Sequence, residues 1–505
     1  MSTLKNIFTG SVWGIIAKVF DAIAKFVTIP MLVGFYGKQD YGLIALTFSL
    51  NAYLRLMDLG MNVGSIRFFS IWLSNNEIEK IGKVSRSSIV FYGIIGLINA
   101  LIFIVMADYG VEMFNVERDQ ILLYQNMMYV LAISTVLNWL SNVVTQLLSA
   151  HNELGWVNKV TFLSSLFNFL TAFIAIKVGL SMNTYFFMYT LSTLIGLPLN
   201  IYRLRVYNIP LSQLLFPKWD GKAFKEILGY SMAIFLMGIF QVTANNLRPL
   251  LLGKFSSKGI EVLTEYRVMQ TIVMLILAFG GVFMQVLLPS TSKVYAEKDQ
   301  VKLEKIIYDG TKYISIFFSF VVFVIISSSQ PLLKIYMGDA YTYLSLWLTV
   351  WLITVLISMH NAPVASLVLS TGKTKFLVYS SGISCILSLP ITIILAKELN
   401  VGSAVIGYLF YVVLQLLFYY IYYIPKILNL KSLKIFFSCF GPTALIGFLS
   451  WGCVIGMNEI YVIPNALLNM LVNTILFSSV FLIIHVCFII KFKDLTGILY
   501  KIRRK

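Results

Sequence analysis

Charged residues are scarce in this chain. Asp, Glu, Lys and Arg make up 12% of its 505 residues, where soluble domains carry about 25%. Cysteine is scarcer still. Cys385, Cys439, Cys453 and Cys487 all sit in apolar stretches without metal-ligand spacing, so packing is their expected role and no zinc site is built on them. Nucleotide chemistry is missing too. Gly372-Lys373-Thr374 has the end of a phosphate loop, but the position five before Gly372 is Leu367, and without that glycine the cradle of backbone N–H groups does not form. There is no nucleophile elbow, no zinc-ligand cluster and no large domain outside the apolar runs. Enzymes of this size usually display their chemistry in longer loops, so neither catalysis nor a cofactor is expected.

What is present is apolar. Hydrophobic residues are 58% of the chain and fall in runs of helix-spanning length, which predicts an all-α polytopic membrane protein. The first run is too long for a signal-peptide core and no small-residue cleavage site follows it, so no cleavable signal is expected. Fourteen spans are read near 11–36, 41–72, 87–107, 121–149, 160–179, 183–206, 227–253, 261–290, 312–336, 343–370, 376–396, 401–424, 435–457 and 464–490.

The charge distribution orients this map. With the N-terminus in the cytoplasm, 26 of the 39 basic residues fall in inner segments and 6 in outer loops. That asymmetry places both termini inside. It also explains the net charge of +17 by topology and removes the need for a nucleic-acid partner. The outer loop from Asp108 to Gln120 is acidic. A faint internal repeat accompanies the map. Glu79-Lys80 precedes span 3 as Glu304-Lys305 precedes span 9, and Leu148-Ser149 ends span 4 as Leu369-Ser370 ends span 10. Two six-helix lobes are expected, 1–213 and 214–430, followed by two extra helices and a basic tail in 431–505. Parallel repeats of this kind are a transporter signature.

Charges inside the first two spans carry the functional signal. Lys18, Asp21 and Lys25 stand at i, i+3 and i+7; Asn51, Arg55 and Asp58 stand at i, i+4 and i+7. Each trio is expected on one helical face, with Phe20, Ile23 and Val27 turned to lipid in span 1. A charge near a bilayer centre costs roughly 2.5–3.5 kcal/mol on insertion scales and marks a functional path by default. Simple helix-to-helix ion pairing, Asp21 with a lysine and Arg55 with Asp58, is the plainer account, but it leaves basic residues in excess. Lys18 is expected nearer the cytoplasm, Lys25 and Arg55 nearer mid-membrane.

The second half adds Gln241, Asn245, Asn246 and Arg248 in span 7 and Glu265, Arg267 and Gln270 in span 8. Arg67 and Lys334 read as span-end residues that snorkel to the interface. Asn138, Asn142 and Gln146 in span 4, and Asn168 in span 5, suit interhelical hydrogen bonds. His360-Asn361 and His485 are isolated and suit packing or hydrogen bonding more than proton relay. Pro30, Pro249, Pro289 and Pro363 lie where bends are expected, and Gly60-xxx-Gly64 is a close-packing motif. Spans 13 and 14 offer nothing ionic to a polar path; between Lys434 and Lys491 the only acid or base besides His485 is Glu459.

Several stretches resemble a known group. Gly10-Ser11-Val12-Trp13-Gly14, the run from Ile29-Pro30 to Tyr41-Gly42, and Leu56-Met57-Asp58-Leu59-Gly60 resemble the polysaccharide-transporter branch of the multidrug/oligosaccharidyl-lipid/polysaccharide exporter superfamily, which includes the O-antigen flippases of the Wzx type. The resemblance implies a MATE-like fold in a bacterial inner membrane. It implies movement of undecaprenyl-diphosphate-linked glycan from the cytoplasmic to the periplasmic leaflet through a cationic cavity. Membrane lipids and other polysaccharide assembly proteins are the implied partners, with a proton or sodium ion for coupling. Lys18, Lys25 and Arg55 match in position the basic residues that such flippases place on their first two helices; Arg248 and Arg267 match less closely. Asp21, Asp58 and Glu265 are the candidates for ion coupling. Spans 13 and 14 resemble helices that guide the lipid tail. Two other functions compete: a cation-coupled multidrug exporter of the same superfamily, whose cavity should be dominated by acids and aromatics, and a membrane polysaccharide polymerase, which should carry a large periplasmic loop.

Overall fold

The computed structural model describes residues 2–207, 210–296, 299–371 and 375–488. Gly372-Lys373-Thr374 and the basic tail lie outside them, as do the side chains around Pro289. The described residues form helices and no strand. In chain order these are α1 (Ser2–Tyr36), α2 (Lys38–Leu54), α3 (Met61–Ser74), α4 (Ile78–Met113), α5 (Ile121–Ala150), α6 (Leu154–Val178), α7 (Met182–Leu194), α8 (Gly196–Leu204), the short α9 (Leu211–Leu215), α10 (Gly221–Phe255) and α11 (Glu261–Ala296). There follow α12 (Gln300–Ser327), α13 (Ser329–Met337), α14 (Ser345–Met359), α15 (Ala362–Ser370), α16 (Lys375–Leu399), α17 (Val401–Phe418), α18 (Ser432–Lys434), α19 (Gly441–Ile460) and α20 (Ala466–Phe488).

Among the described residues nine helices are long and apolar enough to cross a membrane. The all-α, multi-span class read from composition therefore holds. The spans expected on α1, α2–α3, α7–α8, α10 and α11 are not among the nine, so fourteen remains the expected number. α4 has 36 residues, about 54 Å of helix at 1.5 Å per residue, against a hydrocarbon thickness of about 30 Å.

The chain divides into two compact units, Met1–Ala278 with Cys385–Ala404, and Phe279–Ser384 with Val405–Lys505. In the first, α1 lies along α6 and α4 along α5. Its core gathers Met61, Phe69, Trp72, Tyr92, Trp139, Leu147 and Ile227. Its connections sort to two ends. At one, Tyr36 donates to Leu180 O (2.9 Å), Gln120 Nε2 to Asp40 (2.5 Å), and Ser256 Oγ to Asn400 Oδ1 (2.7 Å). At the other, Asn158 Nδ2 donates to Gly10 O (2.8 Å), Ser85 to Leu214 O (2.6 Å), and Arg203 pairs with Glu153 (2.7 Å). The first three bonds join segments expected outside, and the second three join segments expected inside.

The second unit has its own core of Leu303, Ile307, Val364, Leu367, Tyr419, Tyr423 and Ile435. Span 10 is broken here. α14 ends at Met359, and α15 restarts with Pro363 in its first turn, a position where proline's missing N–H costs nothing. His360 at the break bonds Tyr420 Oη through Nε2 (2.8 Å) and stacks on Phe440 at 4.1 Å.

Helix ends elsewhere use asparagine. Asn76, Asn115, Asn152, Asn400 and Asn429 take positive φ, where a short amide side chain tolerates the left-handed turn. The break between α2 and α3 is different. A 3-10 turn at Arg55–Asp58 is followed by Leu59 (φ 51°) and Gly60 (φ 73°), both left-handed. Span 2, expected as one helix, is therefore two. A Cβ on Gly60 would overlap the Ser231 carbonyl of α10, and one on Gly64 would overlap the Ser231 hydroxyl. The Gly60-xxx-Gly64 pair is thus the surface on which α3 meets α10.

Candidate functional site

A cavity of about 610 Å³ opens inside the first unit, lined from α1, α2, the Arg55 turn, α5, α7 and α11. Helical periodicity puts its functional groups there. On α1, Lys18, Asp21 and Lys25 share the lining stripe with Ala22, Ile29 and Leu32, the single face their spacing predicts. The opposite side of α1 differs in part from expectation. Ile23 and Val27 are exposed, but Phe20 packs on Phe162 of α6 at 4.8 Å, because α6 covers that edge of the helix.

Among the described residues four bases and one acid face the cavity: Lys18, Lys25, Arg55 and Arg267 against Asp21. Lys25 Nζ pairs with Asp21 at 2.7 Å, with both side chains well exposed, and Ser165 Oγ donates to the other carboxylate oxygen at 3.3 Å. Arg267 is held in place by neutral acceptors, Gln270 Oε1 (2.7 Å), Ser49 Oγ (3.1 Å) and Ala45 O (3.5 Å). Among the described residues the side chains of Lys18 and Arg55 have no hydrogen-bonding or ionic partner and are exposed to the cavity. One positive charge is matched by Asp21 and three are not. An anion entering this space meets cationic donors, whose hydrogen bonds to it are charge-assisted.

Asp58 does not share the cavity face with Asn51 and Arg55. Regular helix ends at Leu54, and Asp58 closes the following 3-10 turn against α4. Asp58 instead accepts from Tyr92 Oη of α4 at 2.7 Å and from the Asn62 backbone N–H at 3.1 Å. Tyr92 Oη in turn accepts from Gln146 Nε2 of α5 at 2.8 Å. The expected Arg55–Asp58 pair is absent among the described residues, and a carboxylate–phenol–amide chain stands there.

Arg248 and Glu265 also lie off the cavity wall. Arg248 is buried and donates to Ala244 O of its own helix and to Ser388 Oγ at 2.9 Å. Glu265 is fully buried beside Lys38 (2.8 Å) and Lys258 (2.9 Å), at the end where the loops expected outside gather. Arg67 stacks over Tyr230 at 4.4 Å rather than facing the cavity. The sequence reading missed the aromatic part of the wall: Tyr41, Phe48, Tyr185 and Tyr189. Tyr185 and Tyr189 stand at i and i+4, a signal that was available.

The fold is shared with solved transporters of one superfamily. The structure is similar to one described as lipid II flippase MurJ in an inward closed conformation, with a TM-score of 0.74 and 13% identity over 96% of this chain and 100% of that one. It is also similar to an inward-facing multidrug resistance MATE family transporter of the MOP superfamily, at 0.62 and 14% over 87% and 96% of the two chains. A MOP superfamily transporter from Pyrococcus furiosus, described by a reversed polarity of its binding pocket, matches at 0.58 and 13% over 88% and 96%. These likenesses define the class: a multi-span helical protein with the MurJ and MATE fold. No curated protein matches the chain in sequence. A family model described as polysaccharide biosynthesis protein matches residues 7–295, and the chain belongs to that family.

Proposed function

We propose that this protein is a flippase for undecaprenyl-diphosphate-linked repeat units of O-antigen or another polysaccharide. It carries them from the cytoplasmic to the periplasmic leaflet of a bacterial inner membrane, with both termini cytoplasmic. The observation that carries this reading is the cavity with three unmatched positive charges at Lys18, Arg55 and Arg267 and a fourth base, Lys25, beside Asp21. A diphosphate diester brings about two negative charges and a fan of acceptor oxygens, which suit guanidinium forks and lysine ammonium groups. Rocking of the two lobes, 1–213 and 214–430, would open the cavity to one leaflet at a time, with 431–505 serving the lipid tail. Arg248 is left out of the binding set because it is buried elsewhere. Among the coupling candidates Asp58 fits a protonation role best, since its described partners are neutral.

The test is the leaflet in which lipid-linked repeat units accumulate when the gene is deleted. Accumulation in the inner leaflet, relieved by the wild-type chain, is expected. Single unpolymerised units reaching the outer leaflet would instead make the protein a polymerase. Normal glycan export with lost drug efflux would make it a multidrug exporter.

A further inference from the structure

The bases account for the diphosphate but leave the rest of the cavity wall without a task. Phe48 of α2 and Tyr189 of α7 meet there with ring centroids 5.0 Å apart. Both are partly buried and line the cavity. Phe186, which is buried, stacks on Phe48 at 5.7 Å with planes 27° apart, and Tyr185, itself on the cavity wall, sits 6.1 Å from Tyr189. Tyr189 is also within electrostatic reach of Lys25, Asp21, Arg267 and Arg55. A group stacked on this ring would therefore have its charged neighbour beside the bases. Three carboxamides, Asn51, Asn138 and Gln270, line the same space.

We propose that Phe48 and Tyr189 form a stacking platform for the first pyranose attached to the diphosphate, so that the cavity selects glycosylated lipid diphosphate over the bare one. This rests on the flippase reading and names the sugar-binding part of the same site. The warrant is chemical. One face of a pyranose is a patch of C–H groups carrying partial positive charge, and the face of an aromatic ring carries the complementary partial negative charge. The rim of the sugar is hydroxyl, each both donor and acceptor, and carboxamides supply both functions where ammonium and guanidinium groups supply donors alone. The packed neighbours Phe186 and Tyr185 fix the platform in advance, so little ordering is lost on binding.

The experiment uses the full chain in lipid nanodiscs and two probes, undecaprenyl diphosphate and undecaprenyl-diphosphate-N-acetylglucosamine, with binding followed by native mass spectrometry. The wild-type protein is expected to bind both and to prefer the glycosylated probe. Replacing both rings (Phe48→Leu with Tyr189→Leu) is expected to weaken the glycosylated probe about tenfold and to leave the bare one within about twofold. Tyr189→Phe, which keeps the ring, is expected to retain the preference. An unchanged preference in the double variant overturns the platform, as does an equal loss for both probes. If the wild-type protein binds neither probe, the flippase reading itself falls, and the platform with it.

Discussion

Arg55 and Arg248 are both arginines within apolar segments, and the structure predicts opposite consequences for removing them. Arg55 has no described partner and points into the cavity. Truncation to alanine strands no acceptor and empties no core, so the stability change should stay within about 0.5 kcal/mol. The loss for a bound diphosphate is one charge-assisted contact, about 1.5–3 kcal/mol, or roughly 10- to 100-fold in affinity. Arg55→Lys keeps the charge but loses the planar fork and should fall between. Arg248 is 1% exposed and bonds Ser388. Arg248→Ala opens a buried void and leaves that hydroxyl short of a donor, costing about 2–4 kcal/mol of stability. The assay pairs denaturant midpoints of purified protein with the rate at which each variant restores surface glycan to deletion cells, scaled to protein level. Arg55→Ala should be stable and inactive, Arg248→Ala unstable but active per folded molecule. An Arg55→Ala variant that loses more than about 1 kcal/mol, or exports at the wild-type rate, refutes the reasoning.

Three further outcomes follow from the same geometry. Tyr92→Phe and Gln146→Leu should couple by about 1 kcal/mol in a double-mutant cycle of stability, because the tyrosine hydroxyl stands between Gln146 and Asp58; strict additivity would mean the chain of bonds is not formed. Gly60→Ala should cost more than about 2 kcal/mol through its left-handed φ and its overlap with Ser231, while Gly93→Ala, with nothing near its Cβ, should be neutral or slightly stabilising; a mild Gly60→Ala would show that α3 can slide on α10. Glu265→Gln should lower the unfolding midpoint by the equivalent of about 1–2 kcal/mol, less than for a fully buried pair because Lys38 and Lys258 keep side-chain exposures of 29% and 36% and can turn to water; an unchanged midpoint would remove the ionic account of that end.

The α1 stripe was legible because the helix runs unbroken through Lys18, Asp21 and Lys25, so sequence spacing and spatial face agree. The Arg55–Asp58 relation was not. It depends on Asp58 closing a 3-10 turn against α4, where Tyr92 holds its carboxylate, a contact set by tertiary packing, although Gly60 hints that the helix breaks nearby. Arg267 and Arg248 could not be separated in sequence either. Each lies on a long apolar helix, and which side of that helix meets the cavity is set by packing: α11 turns Arg267 toward Ser49 of α2, while α10 turns Arg248 toward Ser388. The aromatic wall is a harder case. Phe, Trp and Tyr are 15% of the chain, and lipid contact and core packing use the same residues, so only tertiary contacts distinguish Phe48 and Tyr189 from the rest.

The division of labour among the four bases bears on how such a cavity captures and releases an anion. Arg267 is fixed by three neutral acceptors, so its charge is undiminished and its ordering entropy is already spent before any ligand arrives. Lys18 and Arg55 are unpaired and long-stemmed; in the empty cavity they are solvated, and an anion must displace that water as it binds. Lys25 is half-engaged, its ammonium shared with Asp21 at 2.7 Å across an exposed pair that holds it only weakly. A site made entirely of fixed, unmatched cations would bind a diphosphate tightly and release it slowly, which suits a receptor. Here one cation orients, two gather and one has an alternative partner waiting. On the flippase reading, Asp21 would reclaim Lys25 as the substrate leaves, lowering the cost of release by returning an ammonium to a carboxylate rather than to water alone. On the same reading that exchange would give Asp21, the one acid on the wall among the described residues, a role in turnover without a coupling ion, and would leave Asp58, at the broken helix next to Arg55, as the carboxylate whose protonation is felt by the turn that presents the arginine.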